Sequence, residues 1–107
     1  GVSFGSGFEG CSSLGSLQND AFTMDGDVVK TTTNNSGGIQ GGITNGMPLI
    51  FRVAVKPTPS IHVEQQTVDA KGENVTLVIG GRHDPCIVQR AVPVVEAVTA
   101  MAILDIL

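Results

Sequence analysis

Apolar and polar residues alternate through the middle of this chain and switch to a helical spacing at its end. Leu49, Phe51, Val53 and Val55 fall on one side of an extended chain, with Ile50, Arg52, Ala54 and Lys56 on the other. That alternation predicts a strand with a core face and a face of small residues and solvated cations. Just upstream, Ile39, Gly41 and Ile43 alternate with Gly38, Gln40, Gly42 and Thr44, a second strand pattern. Asn45-Gly46 lies between the two and suits a two-residue hairpin turn, because both residues tolerate positive φ. A further antiparallel pair is expected from Gln65–Val68 and Val75–Ile79, joined by a turn at Lys71-Gly72-Glu73-Asn74. Asp25-Gly26-Asp27 reads as a tight turn before a strand-like Val28–Thr33. From Pro93 to Leu107 only Glu96, Thr99 and Asp105 are polar, which predicts a helix apolar nearly all round and buried on more than one side. Proline suits the first helical position, and Glu96 would then complement the helix dipole. Hairpins with one such helix make an α+β layer fold, read as a single domain over residues 1–107.

Glycine complicates the pattern at two places. Gly5-Ser6-Gly7-Phe8-Glu9-Gly10 fits G-x-G-x-x-G, with Asp25 and Asp27 near the spacing of a ribose-binding acid. A dinucleotide fold also needs a strand before the glycines and an amphipathic helix after them. Only Val2-Ser3-Phe4 is available for the strand, and Ser12, Ser13, Gly15 and Ser16 interrupt any helix. The segment is therefore expected to form a short helical turn near Phe8–Leu14, followed by a loop through Gly15-Ser16 and Asn19-Asp20. The second place is Gly37–Gly46. Glycine weakens a strand, so a run of it calls for close approach of a ligand or another backbone. It is not a Walker sequence, since no Lys-Ser or Lys-Thr follows.

Composition narrows the classes of function. Hydrophobic residues make up 41% of the 107 and charged residues 15%, with a mean hydropathy of +0.23. Such a chain is expected to fold and to set its apolar faces against something else. It has no initiator Met, and Ala102–Leu107 is still strongly apolar, so the reading is of a fragment. A net charge of −4 argues against a nucleic-acid surface. The longest apolar stretch is short of the ~20 residues of a membrane span, and no signal segment opens the chain. Two cysteines and two histidines do not suggest a disulfide scaffold or a structural zinc site. A reducing, cytoplasmic setting is the simplest expectation.

The candidate chemistry lies in Gly80-Gly81-Arg82-His83-Asp84-Pro85-Cys86, running into Ile87–Pro93. A guanidinium, an imidazole and a carboxylate follow one another on a connector between a strand pattern and a helix pattern, where chemistry is often placed. The plain alternative is a connector in which Arg82 and Asp84 pair on the surface. His62 stands among hydrophilic residues and reads as a surface histidine.

Four segments in order resemble the chorismate synthases: Gly15-Ser16 with Asn19-Asp20, Ser36–Gly46, Arg52–Thr58 and Arg82–Cys86. The resemblance covers nearly the whole chain and identifies it as the C-terminal part of such a protein. It implies a β-α-β sandwich portion, with antiparallel hairpins packed on a long apolar C-terminal helix, in a cytoplasmic homotetramer. It implies an enzyme that uses reduced FMN to eliminate phosphate from 5-enolpyruvylshikimate 3-phosphate, giving chorismate for aromatic amino acid biosynthesis. No nucleic acid or membrane partner is implied, and no metal. Residue by residue, Gly41 matches a position against the flavin, and Lys56, Pro57, Thr58, Pro59 and Ser60 match a flavin-contacting loop. Arg82 matches an arginine at flavin and substrate, and Asp84 the acid beside flavin N5 that helps remove the C6 proton. Cys86 reads as a packed thiol and His83 as a structural residue. The family's two catalytic histidines match neither His62 nor His83, so this chain alone is expected to be inactive. The competing reading is a non-catalytic flavin- or nucleotide-binding module, or an oligomerisation fragment.

Overall fold

A computed structural model describes all 107 residues, which form two compact units, Gly1–Ala54 and Val55–Leu107. The class is α+β: four two-stranded antiparallel sheets with a C-terminal helix.

The first unit opens with β1 (Val2–Phe4), which pairs with β6 (Phe51–Val53) in the register Val2↔Val53, Ser3↔Arg52, Phe4↔Phe51. The Phe4 and Phe51 rings lie 5.9 Å apart, so this long-range pair is fixed by an aromatic contact as well as by its ladder. A 3-10 turn covers Gly7–Ser12, close to the expected helical turn. No amphipathic helix follows Gly10, so the dinucleotide pattern is a coincidence of spacing. Gly15–Gln18, expected as loop, forms one turn of helix, α1. β2 (Phe22–Asp25) and β3 (Val28–Thr31) form a hairpin closed by Gly26-Asp27. Gly26 has φ +61° and Asp27 a negative φ, the pattern of a type II′ turn.

The glycine run folds differently from expectation. β4 (Ile39–Gln40) pairs with β5 (Ile43–Thr44), and the turn is Gly41-Gly42, with φ of +59° and +80°. Positive φ at both positions is the type I′ requirement, and two glycines meet it without steric cost. Asn45-Gly46 is not the hairpin turn. The Asn45 side-chain oxygen accepts a hydrogen bond from the Met47 amide at 3.1 Å, and its own amide bonds to Gly38 O at 3.1 Å. That Asx turn holds Asn45 at negative φ and sends the chain on to β6, which pairs with β1 instead. Arg52 and Lys56 therefore do not share a strand face, because β6 ends at Val53.

In the second unit β7 (Gln65–Val68) and β8 (Asn74–Leu77) form the expected hairpin. Its loop is built on Asp69, whose carboxylate accepts from the Lys71 and Glu73 amides at 2.8 and 3.0 Å. The helix α2 runs from Val88 to Ile106, starting five residues before Pro93. Residues 87–91 contain no breaker, and the Arg90 and Ala91 amides close onto Ile87 O at 3.0 and 2.9 Å. Pro93 thus sits inside the helix and leaves the Gln89 carbonyl without its usual donor. Glu96 is beyond the first turn and cannot complement the N-terminal dipole. No residue of α2 is buried. Its half-covered positions are Ala91, Val95 and Thr99, while Val94, Val98, Met101 and Leu104 are all more than half exposed.

No apolar side chain is buried anywhere in the chain. The enclosed residues are Asp20 and Thr31, each 6% exposed, and the glycines Gly5, Gly37 and Gly38. The first unit is therefore organised around a carboxylate and close-packed backbone.

Candidate functional site

Gly41 is the one expected site residue in the first unit; Lys56–Ser60, Arg82 and Asp84 lie in the second. Around Gly41 the backbone is open: a Cβ built on Gly41 or Gly42 would meet no atom within 4 Å. The turn demands glycine there, and the space beside it is free. Gly37 and Gly38 differ. A Cβ on Gly37 would lie 2.5 Å from Gly5 N and 2.6 Å from Ile50 O, and one on Gly38 2.6 Å from Pro48 O. Here another backbone makes the close approach that a glycine run implies.

The root of this hairpin is held by Asp20, which lies in loop as expected but is buried. Its Oδ1 accepts from the Thr33 hydroxyl at 2.6 Å and the Asn35 amide at 2.8 Å, and its Oδ2 accepts from the Ser36 amide at 2.8 Å. Burial alone raises the pKa of this carboxyl, but the bonds from Thr33, Ser36 and Asn35 outweigh it and leave it lowered to about 2. A carboxyl whose folded pKa lies below its unfolded value stabilises the protein above the unfolded pKa. That contribution is lost as pH falls through the folded value. The stability gap between wild type and Asp20→Asn, roughly 2 kcal/mol near neutrality, should therefore narrow as pH falls from about 4 to about 2. Denaturant titrations of the two proteins across that range check it; a gap that holds constant to pH 2 contradicts the assignment.

In the second unit Lys56-Pro57-Thr58-Pro59-Ser60 is extended loop, as two prolines dictate. Lys56, Pro57 and Pro59 are exposed, Thr58 and Ser60 half-buried. The Thr58 hydroxyl oxygen is itself enclosed and has no hydrogen-bond partner. A buried hydroxyl without a partner is costly, so Thr58 presents unused hydrogen-bonding capacity.

The Gly80–Asp84 turn is built by Gly81, at φ +104°, and by the His83 imidazole, whose Nε2 lies 2.9 Å from Gly80 O. His83 is thus a turn-closing residue. Its ring centroid lies 6.0 Å from that of His62, which is exposed as expected but not solitary. Arg82 and Asp84 do not pair with each other. Asp84 takes Arg90, one turn into the helix, at 3.3 Å, with both side chains about half exposed or more. Such an exposed pair contributes little to stability. Arg82 forms no ion pair and is exposed. The turn therefore offers a free guanidinium beside a carboxylate, and the loop at Thr58 an unused hydroxyl. Cys86 is exposed rather than packed. Arg52, expected to be solvated, donates from Nη1 to Gly5 O at 2.6 Å and anchors the β1 end.

Asp20 and the His62–His83 approach escaped sequence reasoning. Asp20 did stand in one of the four matched segments, beside Asn19, but a polar residue amid Gly, Ser and Asn carries no mark of burial.

Comparison with known proteins completes the description. The family model described as chorismate synthase matches residues 1–107. A chorismate synthase from a Synechococcus species is 58% identical over 107 residues, covering 98% of this chain and 29% of the relative. Those of Opitutus terrae and Bacteroides fragilis are 54% and 53% identical, covering 98% and 95% of this chain and 29% and 28% of theirs. The chain spans under a third of the length of these relatives.

Proposed function

The chain belongs to the chorismate synthase family, and we propose that it is the C-terminal part of an enzyme that eliminates phosphate from 5-enolpyruvylshikimate 3-phosphate to give chorismate. The observation that carries this reading is the Gly80–Asp84 turn, where Arg82 and Asp84 stand exposed without neutralising each other. Asp84 pairs with Arg90 at 3.3 Å instead, which leaves the Arg82 guanidinium free to take an anion beside a solvent-open carboxylate. In this reading Asp84 is the base that helps remove the C6 proton, and Arg82 holds anionic oxygen.

The residues present fit reduced FMN as cofactor. In the second unit the Thr58 hydroxyl lacks a partner and Lys56 supplies a cation on the same loop; in the first, a Cβ on Gly41 would meet no atom within 4 Å. When bound, the reduced flavin supplies electron density that eases phosphate departure without net redox change. Lys56, Pro57, Thr58, Pro59, Ser60 and Arg82 of the second unit would hold it, and Gly41 of the first unit matches a flavin position in the same family. The substrate carries a phosphate and two carboxylates, whereas this chain has net charge −4. The remaining polypeptide would supply the other cations and the general acids. It would also cover α2, whose uncovered apolar sides suit a place inside a β-α-β sandwich. A cytoplasmic homotetramer belongs to the same reading.

Arg82→Ala in the complete polypeptide tests the assignment. A charge-assisted contact contributes about 1.5–3 kcal/mol, so FMN affinity should fall roughly tenfold to a hundredfold. The melting temperature should barely move, since Arg82 makes no ion pair. Calorimetry that finds flavin affinity unchanged would return Arg82 to an ordinary surface cation.

A further inference from the structure

The first unit contains one ionisable group that is almost wholly enclosed, and it lies at the foot of the hairpin that carries Gly41. Asp20 accepts three hydrogen bonds, from the Thr33 hydroxyl and the Asn35 and Ser36 amides, at 2.6–2.8 Å. The strapped segment is tied further: Asn35 O accepts from the Ser6 amide at 2.8 Å, and the Asn35 side chain donates to Leu17 O at 3.2 Å. Directly after it come Gly37 and Gly38, wedged against the backbone of Gly5, Ile50 and Pro48 with no room for a Cβ. The Gly37 carbonyl accepts from the Ile50 amide at 3.0 Å, and the Gly38 carbonyl from the Asn45 amide at 3.1 Å. β4 leaves this wedge and reaches Gly41 within three residues. By contrast, a Cβ added at the tip, on Gly41 or Gly42, would meet nothing within 4 Å.

We infer that Asp20 is a positioning residue of the cofactor site: its carboxylate sets the root of the β4–β5 hairpin and so the placement of Gly41. The inference rests on the reading above, in which Gly41 lies against the flavin. A two-stranded hairpin of two residues per strand has no stability of its own. Its tip is therefore only as well placed as its root. A carboxylate suits the root because both oxygens accept, and three donors converge on them. An asparagine of the same shape must turn its NH₂ toward at least one of those donors, leaving a buried donor unsatisfied.

The test uses the full-length protein. FMN affinity is measured by flavin fluorescence for wild type, Asp20→Asn, and the control Asp69→Asn. Asp69 also clamps a loop through two amides, but in the β7–β8 hairpin. Amide hydrogen exchange is followed over residues 33–44 in the same proteins. Asp20→Asn is expected to weaken FMN binding at least tenfold and to speed exchange at residues 35–44 by a similar factor. Asp69→Asn should leave both within about twofold. Should Asp20→Asn fail to fold, Thr33→Val, which removes one donor, is expected to weaken FMN binding about threefold. Exchange over residues 35–44 that is unaltered in Asp20→Asn overturns the positioning role, with or without flavin. Equal loss of FMN affinity in Asp20→Asn and Asp69→Asn also overturns it, since that reports general destabilisation. Wild-type protein that binds no FMN would instead defeat the reading of Gly41, while the exchange result still decides what Asp20 holds.

Discussion

Asp84→Asn in the complete polypeptide is expected to slow turnover by about 10²- to 10⁴-fold, the usual cost of losing general-base help. The amide keeps the shape of the side chain and loses the proton acceptor. Stability should hardly change. The one partner of Asp84 is Arg90 at 3.3 Å, and both side chains are exposed, at 49% and 78%. Exposed pairs of this kind contribute about 0–1 kcal/mol. Flavin and substrate affinity should change far less than the rate, because a negative charge near a polyanion is removed rather than added. A structural Asp84 whose task is to fasten the turn to the helix predicts the reverse ranking: a lower melting temperature with modest rate loss. Single-turnover kinetics and thermal melts on the same variant separate the two. A stable variant that turns over at a near-normal rate removes Asp84 from the mechanism.

Gly37→Ala should be the most disruptive of the single methyl additions in the glycine run, and Gly41→Ala a mild one. Gly37 has φ +71°, and its new Cβ would overlap backbone atoms of Gly5 and Ile50, at 2.5 and 2.6 Å. Backbone cannot move aside as a flexible side chain does, so the wedge must open. Left-handed φ costs an alanine about 1–2 kcal/mol, and the overlap should bring the total to roughly 4 kcal/mol or more. Gly41 has φ +59° but open space, so only the first cost applies. Denaturant midpoints, or soluble yield if Gly37→Ala does not fold, give the comparison. Equal losses at the two positions would mean that the Gly5–Gly37–Ile50 wedge does not support the unit.

Local pattern alone was enough for β3, for the β7–β8 hairpin and for the presence of a C-terminal helix. Gly26 and Gly72 sit at positive φ in the two tight connections read from sequence, and β7–β8 forms where alternation placed it. A hairpin is a short-range object whose turn residues and alternation are all within a dozen positions, so the chain carries its whole description. The proposed site residues come from a different source. Arg82, Asp84, Gly41 and the Lys56–Ser60 loop stand in contiguous motifs that resemble one family, and motif order survives without any knowledge of packing.

What the tertiary structure decided involves competition between distant segments. Asn45-Gly46 has good hairpin chemistry, yet Gly41-Gly42 took the turn, because Asn45 satisfies Met47 and Gly38 and β6 finds β1 about 47 residues away. The helix began before Pro93 because a proline early in a helix loses one bond, while residues 88–92 gain several. Apolar periodicity predicted an α2 buried on more than one side, yet no residue of α2 is buried, because periodicity is silent on what covers a face. Asp20 is the clearest case. A carboxylate among glycines and serines looks solvated in sequence. It is buried because Thr33, Asn35 and Ser36 converge on it from 13 to 16 residues away, and three hydrogen bonds offset its desolvation.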